Sequence, residues 1–155
     1  MTGPPFERRR DAFTISTDPA LLDREAIRAF LAQSYWAAGI PQEVVDRSIE
    51  GSLPFGLYEE GRQIGLARVI TDRATFAYVA DVYVLESHRG RGLGVWLLET
   101  IHAHPDLRNL RRWMLATRDA HALYRKTGWA PLAQPDRFME IAVPDIYSKP
   151  RPPKD

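Results

Sequence analysis

No cysteine occurs in the 155 residues, which excludes disulfides, thiolate-bound zinc and a cysteinyl acyl-enzyme, and fits a reducing compartment. Long apolar runs are missing too. No stretch approaches the roughly 20 residues of a membrane span, and no apolar core of a signal peptide is read near the start. A cytoplasmic protein that does not engage membranes is expected. Net charge is scarce as well, at +1, which argues against a general polyanion binder, because such domains carry a larger basic excess. Arg8-Arg9-Arg10 and the "RGRG" run from Arg89 therefore make poor nucleic-acid contacts, having no aromatic-interleaved basic stripe around them. The rest is ordinary: 45% hydrophobic and 26% charged residues, in the length of one domain with one core.

The charge that is present is unevenly placed. Between Glu86 and Lys126, eight basic residues (Arg89, Arg91, Arg108, Arg111, Arg112, Arg118, Arg125, Lys126) face four acids (Glu86, Glu99, Asp106, Asp119). A locally basic half suggests a small polyanionic ligand, with a chance surface distribution as the alternative.

Residues 1–11 read as a flexible lead-in. "DREAIRAFLAQSYW" has Ala26, Ile27, Phe30, Leu31 and Tyr35 at helical spacing behind Asp23 as a cap. "IPQEVVDRSIEG" predicts a second, short helix ended by Gly51. "PFGLYEEGRQIGLARVIT" predicts a hairpin turning at Glu-Glu-Gly-Arg. "FAYVADVYVLE" is the most strand-like stretch. A glycine-rich turn follows, then a helix from about Leu93 to His104. "RRWMLAT" predicts a buried strand, "DAHALYRKTGW" a short helix capped by Asp119 and closed by Gly128, and "FMEIAV" a last strand. The tail from residue 144 to 155 is too rich in proline and charge to pack. The expected architecture is a single α/β domain over residues 12–143 with a mixed sheet.

The turn is the informative stretch. Arg89-Gly90-Arg91-Gly92-Leu93-Gly94 joins a strand to a helix, and glycine costs a helix roughly 1 kcal/mol relative to alanine. Such a turn presents several bare N–H groups in one direction, and the helix dipole adds to them, giving an anion site that favours phosphate. A dinucleotide fingerprint fails, because Val95 stands where its third glycine belongs, and a P-loop fails for want of Gly-Lys-Ser/Thr. The pattern R/Q-x-x-G-x-G/A is met at each defined position.

With "VYVLESHRGRGLGVWLL" before it and "DAHALYRKTGW" after it, this turn strongly resembles that of the GNAT superfamily of acyl-CoA-dependent N-acyltransferases. The resemblance implies a central, mostly antiparallel sheet with a splayed parallel strand pair and flanking helices. It implies acetyl-CoA as co-substrate, no metal, and an amine acceptor, with a homodimer as a further expectation. The pyrophosphate would lie on Arg89, Gly90, Arg91, Gly92, Leu93, Gly94 and Val95, and the pantetheine arm along Val82, Tyr83 and Val84 in the manner of an added strand. The Val84 N–H would polarise the thioester carbonyl.

Tyr124 matches the family's general acid; a packed aromatic is its plainer reading. Asp81 is read either as a general base or as a carboxylate paired with a nearby arginine such as Arg68, since a carboxylate inside "YVADVYV" is costly unless paired or hydrated. By alternation it shares a face with Tyr83 and Leu85. Asp119 would contact the cofactor arm or cap its helix. Tyr35, Trp36 and Phe55 would line the acceptor mouth, suiting an amine with an apolar body, or else belong to the core. A base matters most for a lysine-like amine of pKa about 10.4, whose neutral form costs about 4 kcal/mol at pH 7.4. His102 and His104 lie two apart on a helix and do not form a metal pair. The competing function is a non-catalytic acyl-CoA-binding module.

Overall fold

A six-stranded sheet in the order β1-β2-β3-β4-β5-β6 organises the molecule. This computed structural model describes residues 3–149. The strands are β1 (Glu7–Arg10), β2 (Phe13–Ser16), β3 (Leu53–Glu59), β4 (Arg62–Thr71), β5 (Phe76–Val84) and β6 (Arg112–Met114). Neighbours are antiparallel except the last pair, where β6 runs parallel to β5. The helices are α1 (Arg24–Leu31), α2 (Gln42–Glu50), α3 (Leu93–His102) and α4 (His121–Arg125). Among the described residues no helix is long and apolar enough to cross a membrane.

The lead-in expected over residues 1–11 is instead structured from Glu7 to Arg10, where β1 pairs with β2 through Glu7↔Ser16 and Arg10↔Phe13. Its charged side chains are all exposed, so they give no alternating apolar signal; the backbone ladder holds the strand, with the Arg10 guanidinium 4.8 Å from the centre of the Trp96 ring. Asp23 caps α1 as expected, accepting from the Ala26 N–H at 3.0 Å. The predicted hairpin turn holds as well, with Glu60 and Gly61 at φ 49° and 86° joining β3 to β4, the left-handed pair that a tight hairpin demands.

The sheet buries a core on each face. Ile15, Phe55, Val69, Val79, Leu97, Leu98 and Ile101 belong to the face covered by α3. Ile27, Leu31, Val45, Ile49, Leu66 and Tyr83 belong to the face covered by α1 and α2, where Phe30 stacks on Tyr83 at 3.8 Å. Each fully buried aliphatic side chain contributes about 1.5–3 kcal/mol.

Strict alternation along β5 is broken in the middle. Leu66 pairs with Tyr83 but Arg68 with Ala80, so one residue on β4 faces two on β5, and Asp81 takes φ 54°. This β-bulge resets the faces. Ala77 and Val79 pack with α3, and so do Val82 and Val84, while Tyr83 joins the opposite core. Aspartate tolerates the left-handed region better than the β-branched residues around it. Gly65 sits where a Cβ would lie 2.7 Å from the Tyr83 carbonyl oxygen, so this close approach of two backbones requires glycine.

Two expected elements shrink. Of "RRWMLAT", only Arg112–Met114 pairs, with Phe76↔Arg112 through Tyr78↔Met114. The strand expected in "FMEIAV" pairs with none of the described residues. Of the tail expected to stay unpacked, Tyr147 packs on the α1–α2 core, and residues 150–155 lie outside those described.

Candidate active site

The parallel strands separate, as the resemblance implies. Pairing of β5 with β6 ends at Tyr78↔Met114, while β5 runs on to Val84. The Leu85 N–H donates to the Ile64 carbonyl at 2.8 Å, and peptide groups alternate along an antiparallel ladder. The Val84 N–H and C=O therefore point away from β4, into the gap. Arg89 Nε donates to that Val84 carbonyl at 2.9 Å, tying the glycine turn to the strand's end.

The turn itself is open. Gly90 and Gly92 have φ +80° and +76°, and a Cβ built on either meets nothing within 4 Å. Gly92 is the N-cap of α3 and offers no side-chain cap bond, so the first N–H groups of the helix are left without an intrahelical partner. Leu93 points into the core, and a Cβ built on Gly94 would lie 3.5 Å from Leu123; the helix is thus backed by the core while its N-terminal mouth stays bare. These residues fit a diphosphate.

A cleft of about 540 Å³ opens between the separated strands, lined by Tyr35, Trp36, Asp81, Val82, Asp119 and Tyr124 among others. Two bonds hold the 32–40 loop across it. Trp36 Nε1 donates to Asp81 Oδ1 at 2.9 Å, and the Arg118 N–H donates to the Tyr35 hydroxyl at 2.9 Å, with the Arg118 guanidinium 4.0 Å from the centre of the same ring. Asp81 Oδ2 accepts from Arg68 Nε at 2.8 Å, and Arg68 Nη1 donates on to Ser52 Oγ at 2.9 Å. The side chains of Arg68 and Asp81 are only 15% and 9% exposed. Of the two readings of Asp81, the ion pair is the one the structure contains.

Tyr124 is buried, yet it is among the residues that line the cleft. Burial, with a smaller contribution from Tyr35, pushes its phenol up to about 12. Asp119 borders the cleft too, but it does not cap α4. The Ala120 N–H goes to Thr117 Oγ1 at 3.1 Å, and the Asp119 carboxylate pairs with Arg118 at 3.2 Å. The N-cap position falls on Ala120 instead, which has no side chain to cap the helix.

Phe55 does not belong to this site. It is fully buried and meets His104 edge-on at 5.8 Å, because its alternation on β3 turns it to the α3 face. His88 is likewise structural, its Nε2 lying 2.8 Å from Glu59 Oε1. His102 packs on Trp113 and Trp129, whereas His104 packs on Phe6 and Phe55, and no cluster suited to a metal occurs among the described residues. Ser52, Tyr78, Arg118 and Tyr147 were not foreseen. Arg118 meets Tyr35 across 83 positions of sequence, and no local pattern announces such a contact.

The profile of the acetyltransferase (GNAT) domain matches residues 50–131, which include β5, the glycine turn, α3, β6 and α4. The fold and this match define the class: the chain belongs to the GNAT acetyltransferase family. A candidate acetyltransferase of Gibberella zeae is 38% identical over 138 residues, covering 76% of this chain and 78% of that protein. A candidate GNAT-family acetyltransferase from Xanthomonas campestris pv. campestris, known from its crystal structure, is 49% identical with a TM-score of 0.86, covering 88% of this chain and 97% of the other. A candidate acetyltransferase from Clostridium acetobutylicum, crystallised with acetyl-CoA, shares the fold at 15% identity and a TM-score of 0.61, over 84% of this chain and 94% of that one.

Proposed function

We propose that the protein moves the acetyl group of acetyl-CoA directly to an amine acceptor while both are bound. The observation that carries this reading is a juxtaposition. An unobstructed glycine turn at Gly90 and Gly92 leads into a strand gap that receives the Val84 N–H. Tyr124 is among the residues that line the cleft beside it. In this reading the amides of residues 90–95 hold the diphosphate. The free edge of Val82–Val84 holds the pantetheine arm, and the Val84 N–H donates to the carbonyl oxygen as negative charge grows there.

Tyr124 supplies a proton donor to the departing sulfur. With its phenol at about 12, it is fully protonated at neutral pH. Complete proton transfer to a thiolate of pKa about 8.5 would be uphill by about 5 kcal/mol. Its contribution is therefore a hydrogen bond to developing charge, worth about 1.5–3 kcal/mol. Tyr124→Phe should lower turnover about ten- to hundredfold, with acetyl-CoA affinity nearly unchanged.

Asp81, in this reading, serves first as a positioning residue. A proton taken up from the amine would compete with the Trp36 and Arg68 donors already on its two oxygens. Tyr35 and Trp36 give the acceptor an aromatic wall, which suits an amine with an apolar body. A thiol-release screen of amines with acetyl-CoA, run beside Tyr124→Phe, tests the proposal. Binding of acetyl-CoA without thiol release from any amine would assign a non-catalytic acyl-CoA-binding module instead.

A further inference from the structure

Residues 138–143, Phe-Met-Glu-Ile-Ala-Val, alternate as a strand does but pair with no strand among the described residues. Met139 and Ile141 are each 98% exposed, and Val143 is 55% exposed. At a period of two these side chains form one apolar ridge on an extended chain, which is a poor thing to leave in water. Only Phe138, at the start of the segment, is held, with the Arg112 guanidinium 4.9 Å from its ring centre.

The same molecule carries a site of the opposite kind. β6 is the terminal strand of the sheet and pairs on one edge only, with β5. Trp113 of β6 lines a groove of about 500 Å³ together with Leu107, Asn109 and Trp129. The Trp129 indole N–H is buried without a hydrogen-bond partner, a donor in want of an acceptor. Arg108, Arg111 and Arg112 are exposed around this edge, and the free segment carries Glu140 between its apolar side chains. Within its own chain the segment meets β6 only where the Phe138 ring lies under the Arg112 guanidinium, at the residue where β6 begins, and none of its residues pairs with that strand.

We propose that residues 138–143 of one copy add as a strand to the outer edge of β6 in a second copy, reciprocally, forming a twofold dimer. Met139, Ile141 and Val143 are then covered, Glu140 meets the arginines, and a backbone carbonyl can reach the Trp129 indole. One sequence holds both a strand without a sheet and a sheet edge without a strand. A twofold axis satisfies each with the other.

Light scattering during size-exclusion chromatography should return the mass of two chains for the wild type. Ile141→Asp should weaken self-association about 100-fold or more, because an isologous interface carries the substitution twice. Its side chain is 98% exposed in the single chain, so the monomer fold should be untouched, as checked by circular dichroism. Hydrogen exchange on the wild type gives an independent reading: the alternate amides of 139–143 that face the neighbouring strand should be protected, and protection should fall on dilution. A wild type monomeric at high concentration, an Ile141→Asp dimer of unchanged strength, or fast exchange of 139–143 at every concentration would each overturn the proposal.

Discussion

Replacing Gly90 or Gly92 with alanine separates the two jobs that a glycine turn can have. Both residues adopt positive φ, so a methyl group costs backbone strain of about 1–2 kcal/mol. For a domain of this size each kcal/mol lowers Tm by about 2–4 °C. Gly61, in the β3–β4 turn, makes a matched control: it has φ +86° and, like Gly90 and Gly92, nothing within 4 Å of a built Cβ. Gly61→Ala should therefore cost the same stability. The difference lies in what the open space is for. If a diphosphate rests against the bare amides, a Cβ at residue 90 or 92 displaces it from one or more charge-assisted hydrogen bonds, each worth about 1.5–3 kcal/mol. Acetyl-CoA Kd should then rise about 10- to 150-fold in Gly90→Ala and Gly92→Ala, and stay put in Gly61→Ala. Titration calorimetry well below the melting transition, paired with thermal unfolding without ligand, measures the two quantities separately. Three variants with equal loss of Tm and an unchanged Kd would reduce the glycines to turn formers and remove the basis for the enzyme reading.

Two further outcomes follow from the buried polar groups. Asp81→Asn keeps the shape but removes the charge opposite Arg68, a pair whose side chains are 15% and 9% exposed. It should cost about 1–3 kcal/mol, and a pH–rate profile shifted along the pH axis rather than merely scaled would restore Asp81 as the base. His104 is held neutral chiefly by burial, which lowers its pKa below 6.5, and its Nδ1 accepts from the Asp106 N–H at 3.1 Å. The unfolded chain binds more protons just below that value, so stability is complete above about 6.5 and falls as pH drops. Thermal unfolding across that range should show the slope, and His104→Gln should reduce it, leaving the part due to His102, whose pKa burial also lowers.

What could be read from the residues alone divides by range. The glycine turn, the Glu60-Gly61 hairpin and the Asp23 cap are decided within a few positions, so their chemistry stands written in consecutive letters. The bulge at Asp81 is not. It exists because β4 offers one residue against two, and strict alternation therefore misplaces Ala77 and Val79 relative to Tyr83. Phe55 shows the same limit: its aromatic ring is legible, its side of the sheet is not, and the face decided between core and cleft. β1 failed for the opposite reason, since arginines on an exposed edge carry no apolar pattern although the backbone pairs in full. "FMEIAV" predicts a last strand, and the segment alternates as one but joins no strand of the sheet among the described residues. Period-two alternation reports that a segment wants a sheet, and it is silent on whose. Had the molecule been obliged to satisfy that segment within one chain, Met139 and Ile141 would be buried beside β6. They lie in the open, and so the pattern points past the boundary of the single chain.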